Sequence, residues 1–197
     1  MSKTAFITGA SRGIGRACAL ALANQGYRVV VAARDKAKLD ELVAELQAQG
    51  KEAFAVTIDL SSGDSIKEAF STAAKEFGRI DVLVNNAGGS RSFKDLHVSE
   101  AQWQEAITLN FHRPRQLGDV LIDQMIERQW GRIINITGKS EPEHINGAFC
   151  AKAGMHSWAK GLSRMVGRHG ITVNCIPPGR IHSEQIFRNY TPEYRQW

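Results

Sequence analysis

Apolar positions in this chain follow two different rhythms. Predominantly apolar runs stand at residues 5–7, 27–33, 53–58, 80–84, 131–137 and 171–176. The β-branched stretch Val29-Val30-Val31 is the mark of a strand buried on both faces. Between these runs, apolar residues recur every three or four positions. Leu39, Leu42, Val43 and Leu46 predict a helix over 35–49 that ends at Gly50. Ile66, Ala69, Phe70, Ala73 and Phe77 predict the next, and residues 16–23 read as helical after the first strand. Leu117, Val120, Leu121 and Met125 mark another, as do Met155, Trp158, Ala159, Leu162 and Val166. Residues 89–98 are polar and irregular, a predicted loop. Ser99 then reads as an N-cap with Gln102 completing a capping box, and the helix it opens reaches Leu109-Asn110-Phe111.

Strand and helix alternate with short connections. That order predicts an α/β fold with a single doubly wound parallel sheet flanked by helices. No repeat, low-complexity tract or linker interrupts it, so residues 1–197 read as one domain.

Composition narrows the functional classes. With 43% hydrophobic and 23% charged residues, the chain has the make-up of a folded soluble protein. Its formal charge of +5 is scattered among acidic residues and forms no basic block, which argues against a nucleic-acid partner. Cys18, Cys150 and Cys175 show no C-x-x-C spacing and read as buried thiols of a reducing compartment. No signal peptide and no bilayer-length apolar run is present, so a cytoplasmic location away from membranes is expected. The six histidines are dispersed, and no metal site is expected.

The candidate chemistry starts at Thr8-Gly9-Ala10-Ser11-Arg12-Gly13-Ile14-Gly15. A strand feeding a glycine-rich turn and then a helix presents backbone N–H groups and a positive dipole end to an anion. Gly9 supports the tight turn, Gly13 lets the backbone approach a pyrophosphate, and Gly15 lets helix and strand pack closely. The second strand ends in Arg34 with no acid at its tip. A carboxylate there would take a ribose 2′-OH, whereas an arginine accommodates a 2′-phosphate. Arg34, with Arg12 in the turn, therefore favours NADP over NAD. The plainer reading is that Arg34 merely opens a solvated helix.

The G-x-x-x-G-x-G spacing of Gly9, Gly13 and Gly15, together with Asn85-Asn86-Ala87-Gly88 after the fourth strand, resembles the short-chain dehydrogenase/reductase family. The resemblance runs from Thr4 to about Ser183, and within the family the motif set is nearest the 3-oxoacyl-carrier-protein reductases. It implies an oxidoreductase acting on a small-molecule carbonyl or alcohol. The cofactor would be lined by Gly9, Ser11, Arg12, Gly13, Ile14, Gly15 and Arg34. Asp59 and Leu60 would meet adenine, and Asn86, Ala87 and Gly88 the central cleft. Pro178, Gly179, Ile181 and Ser183 would meet the nicotinamide and pyrophosphate. Lys152 would bind ribose, and Asn110 would hold a water linking that lysine to solvent. Homo-oligomerisation is also implied by the resemblance.

The chain departs from the family at its catalytic hydroxyls. The family places a tyrosine four residues before the lysine, where this chain has Ala148. The family serine aligns with Gly138, or with Thr137 if the loop slips by one. In the loop 138–147, His144 or a carboxylate is the candidate surrogate acid, against the plainer reading of a solvated loop. Two functions stay open: an NADP-preferring oxidoreductase with an atypical site, and a cofactor-binding pseudoenzyme or partner subunit. From Glu184 the chain reads as substrate-covering helix and stops at Trp197, short of the family's usual further helix and seventh strand.

Overall fold

The computed structural model describes residues 2–89, 93, 96–138, 145–179 and 181. Six strands form one sheet: β1 (Thr4–Thr8), β2 (Arg28–Ala33), β3 (Ala53–Thr57), β4 (Val82–Asn85), β5 (Gly131–Ile136) and β6 (Ile171–Ile176). Their spatial order is β3-β2-β1-β4-β5-β6, and every neighbouring pair is parallel. The helices are α1 (Gly13–Asn24), α2 (Lys36–Ala48), α3 (Asp64–Phe77), α4 (Glu100–Ile107), α5 (Arg113–Glu127) and α6 (Gly147–Val166). A π-helical turn, Thr108–His112, joins α4 to α5, and a 3₁₀ turn, Gly167–His169, leads into β6.

The period-two geometry of strands explains why the central runs are apolar throughout. Phe6, Val30, Leu83 and Ile133 face one layer, where Phe70, Leu117, Leu121 and Met125 meet them. Ala5, Ile7, Val29, Val31, Val82 and Val84 face the other, against Ala19, Leu39, Leu42 and Leu46 of α1 and α2. The chain order reverses between β1 and β4. Their C-terminal ends therefore border the crevice where ligands of such sheets bind.

The structure revises several local expectations. The first helix begins at Gly13 rather than Arg16, so Gly13, Ile14 and Gly15 form its first turn. Residues 100–127 make one continuous helical rod through the π turn, instead of two separate helices. On its second half Leu117, Leu121 and Met125 are buried, whereas Val120 is 44% exposed. The inward face is the Leu117, Leu121 and Met125 stripe together with Pro114 and Gly118 beside it. Cys150 is exposed and Cys18 and Cys175 are half-buried, so the thiols are not the buried set that the sequence suggested. Ser99 does cap α4 in a full capping box with Gln102.

Candidate active site

The crevice is built around the end of β1. The Thr8 hydroxyl donates to the Val84 carbonyl (3.2 Å) and accepts from the backbone N–H groups of Asn86 and Ala87 (3.0 Å each). Asn86 returns the link through Nδ2, which donates to the carbonyls of Thr8 (3.0 Å) and Gly9 (3.2 Å). One threonine and one asparagine thus bind the glycine turn to the β4 tip. The turn tolerates nothing larger than glycine at two places. Gly9 has φ +66°, and a Cβ on it would lie 2.8 Å from Asn86 Nδ2. A Cβ on Gly15 would lie 2.3 Å from the Gly9 carbonyl oxygen. Gly13, at φ +55°, faces open space. A tight turn closed beneath and open above the first helical turn fits a pyrophosphate.

Asn85 braces the same tip from below. Its Nδ2 donates to the Pro114 carbonyl (3.0 Å) and to Asn135 Oδ1 (2.9 Å) on the adjacent strand. Across the tip lies the π turn. Asn110, 3% exposed, donates through Nδ2 to the carbonyls of Gly89 (3.1 Å) and Ala106 (2.9 Å) and accepts from the Gly89 N–H (3.1 Å). A Cβ on Gly88 would meet Asn110 Oδ1 at 2.8 Å and Lys152 Cε at 3.9 Å. Asn110 and Lys152 are therefore brought to the same glycine. The Lys152 ammonium donates to the Thr137 carbonyl at the end of β5 (3.2 Å). Burial pulls its pKa below the ordinary lysine value.

Asn146 caps α6 by accepting from the N–H groups of Ala148 (3.0 Å) and Phe149 (3.3 Å). Ala148 is buried. A Cβ on Gly138 would sit 3.4 Å from Phe149 Cε1 and 3.6 Å from Lys152 Cδ, which is ordinary contact. Thr137 is itself buried.

At the end of the crevice where adenosine is expected, Arg12 takes the N-cap position of α1 and, like Arg34, is exposed. Asp35 is spent on capping α2, where it accepts from Lys38 N–H (3.2 Å), which leaves Arg34 as the group at the strand tip. The carboxyl of Asp59 accepts from Ser61 N–H (2.9 Å), and that bond with nearby Arg34 holds its pKa below the usual carboxylate range. Leu60 is buried beside it. Ser11 and Ile14 are half-buried at the mouth of the glycine turn, as is Pro178 beyond β6, while Gly179 and Ile181 are exposed there. His144 and Ser183 lie outside the described residues. Two residues that hold the loops at the crevice were not among the sequence-based candidates: Thr8, which ties the glycine turn to the β4 tip, and Arg113, which donates to the carbonyls of Leu60 and Ser61. Thr8 could have been found as a hydroxyl at the strand end just before the first glycine. Arg113 carried no signal, since its partners are carbonyls more than fifty positions away.

Among the described residues, no helix is long and apolar enough to cross a membrane, and no group of three or more His, Cys, Asp or Glu could hold a metal ion.

Comparison with known proteins agrees with this geometry. The short chain dehydrogenase family profile matches residues 3–193. The 3-oxoacyl-acyl-carrier-protein reductase FabG of Staphylococcus epidermidis is 38% identical over 189 residues, covering 93% of this chain and 77% of the relative. A metagenomic short-chain oxidoreductase solved in complex with NADP superposes with a TM-score of 0.85 at 35% identity, over 90% of this chain and 82% of that one. A variant of the actinorhodin polyketide ketoreductase solved with NADPH gives a TM-score of 0.89 at 29% identity, over 98% and 77% of the two chains. The chain belongs to the short-chain dehydrogenase family of oxidoreductases.

Proposed function

We propose that this chain is a single-domain, NADP-preferring oxidoreductase of an atypical kind, which interconverts a carbonyl and an alcohol on a 3-oxoacyl-like substrate. The observation that carries the reading is the cradle of Gly9, Gly13 and Gly15, clamped by Asn86, with exposed Arg34 and Arg12 at its adenosine end. NADPH, when bound, supplies the hydride. The first-turn amides of α1 bind the pyrophosphate, and Arg34 with Arg12 takes the 2′-phosphate. Asp59 and Leu60 border adenine, and Pro178, Gly179 and Ile181 border the nicotinamide. Lys152 donates to ribose hydroxyls while its remaining bond to the Thr137 carbonyl fixes its direction. Asn110 acts by placement: its amide is committed to Gly89 and Ala106, which holds the Gly88–Gly89 backbone against the cleft. The 3-oxoacyl substrate is taken from the Staphylococcus relative's name, and a second copy of the chain is the proposed partner. Three thiols free of disulfides fit a reducing, cytoplasmic setting.

Titration of the purified chain with NADPH and NADH, followed by nicotinamide fluorescence, tests this reading. NADPH is expected to bind at least about tenfold more tightly, and Arg34→Ala to close that gap by weakening NADPH alone. Binding of neither cofactor overturns the proposal.

Ala148 offers no proton, so the site takes its acid from elsewhere, and His144 is the proposed donor. His144→Ala is then expected to lower kcat roughly 10²-fold or more while leaving NADPH affinity within about twofold. Unchanged turnover removes the histidine from the mechanism.

A further inference from the structure

The α4–α5 rod touches both ends of the proposed cofactor site, and one side chain makes the contact at the adenosine end. Arg113, the first residue of α5, donates through Nε to the Leu60 carbonyl (3.1 Å) and through Nη2 to the Ser61 carbonyl (3.2 Å). Its Nη1 donates to Gln116 Oε1 (2.8 Å). The guanidinium lies against Gly63, where a Cβ would come within 3.0 Å of Nη1, so the absence of a side chain there makes the seat. The turn it grips carries the adenine-facing groups. Ser61 N–H fixes the Asp59 carboxylate, and the Ser65 hydroxyl accepts from Asp59 N–H (3.0 Å).

Immediately before Arg113 stands the π turn with Asn110, which holds Gly89 from both its N–H and its carbonyl. A π turn adds one residue to the helical ladder and rotates the next helical segment by about 100° relative to an unbroken α-helix. The same irregularity that turns Asn110 inward therefore sets the direction in which Arg113 leaves the rod.

We propose that Arg113 is a positioning residue that ties the Asp59–Ser61 turn to the rod bearing Asn110, so that one helix sets both the adenosine and the nicotinamide ends of the site. This rests on the cofactor reading above. It differs from a role as a phosphate-binding charge, because the guanidinium is directed at two backbone carbonyls. A planar fork spans two acceptors in a way that a point ammonium does not.

Arg113→Ala is expected to weaken NADPH and NADH by the same factor, roughly tenfold, leaving their ratio unchanged. Arg34→Ala should instead change the ratio. Arg113→Lys is expected to recover little, and Gly63→Val, which displaces the guanidinium while keeping it in the chain, to reproduce the loss. A second readout needs no turnover. In the parent protein, 2′,5′-ADP, which occupies the adenosine end alone, should slow hydrogen exchange at the Gly89 amide; in Arg113→Ala it should not. Equal cofactor affinities in parent and Arg113→Ala, a loss confined to NADPH, or full recovery by Arg113→Lys overturns the proposal. Failure of the parent chain itself to bind either cofactor overturns the cofactor reading first, and this proposal with it.

Discussion

Lys152→Met is expected to cost at least about 10² in kcat/KM while leaving the folded chain no less stable than the parent at neutral pH. Both effects come from one circumstance. The ammonium sits where burial disfavours its charge, with the Thr137 carbonyl as its hydrogen-bond partner. Methionine has similar length and no charge to desolvate, so the fold loses one hydrogen bond and is relieved of the burial cost. The site loses the donor that orients ribose, and misplacement of a reacting group costs on this scale. Stability sacrificed for a working site is the common pattern in enzymes.

The pH dependence has a definite sign. The folded pKa of Lys152 lies below the ordinary 10.5, so between the two values the unfolded chain binds more protons than the folded one. Stability contributed by this group therefore rises with pH across that window. Below the folded pKa the burial cost is in full force, and above the ordinary value it is gone. The Tm advantage of Lys152→Met over the parent should thus shrink as pH is raised toward the ordinary lysine value. An advantage that is constant with pH, or a variant that melts well below the parent at neutral pH, would show that the ammonium is not buried at a cost.

What could be read from the sequence was what local chemistry determines. The central strands were legible because a parallel sheet with covered faces demands apolar runs such as Val29-Val30-Val31, and β6, whose residues alternate between buried and exposed, still falls on the expected residues. The glycine turn was legible because Gly9 and Gly15 answer to contacts that leave no room for a Cβ. The Ser99 cap was legible because its partner Gln102 is three residues away. The π turn was not, since Thr108–His112 differs from an ordinary helix only in which carbonyl each N–H reaches. Val120 fits a helical stripe by spacing about as well as Leu121 does, yet it is 44% exposed while Leu121 is buried, a difference set by which face of the helix meets the sheet. The Arg113 contact was invisible for a further reason: its partners, Leu60 and Ser61, offer backbone carbonyls, which every residue type possesses.

Removing the Asp81 carboxylate is expected to destabilise the fold by about 3–5 kcal/mol, far from the site. Asp81 is 3% exposed just before β4, at the end of the sheet opposite the crevice. Its Oδ2 accepts from the Thr4 N–H at the start of β1 (2.8 Å) and from Arg79 Nε (3.1 Å), while Arg128 Nε lies 3.8 Å from Oδ1. Its backbone meanwhile donates to the Thr4 carbonyl (2.8 Å) and accepts from Arg132 N–H (3.0 Å). One residue therefore ties β1, β4 and β5 together where the central strands begin. Asp81→Ala leaves the buried Thr4 N–H without its acceptor and two partly buried guanidinium groups without their counter-charge. The Arg79 side chain is about one-third exposed, so its share is screened and worth about 1 kcal/mol at most. The larger part comes from the Thr4 amide and the more buried Arg128. Asp81→Asn keeps an oxygen for the Thr4 N–H, so it should cost less, roughly 1–2 kcal/mol. Urea unfolding of the three proteins checks the order. Equal midpoints for Asp81→Ala and the parent would mean that the strand pairings hold this end of the sheet without the carboxylate.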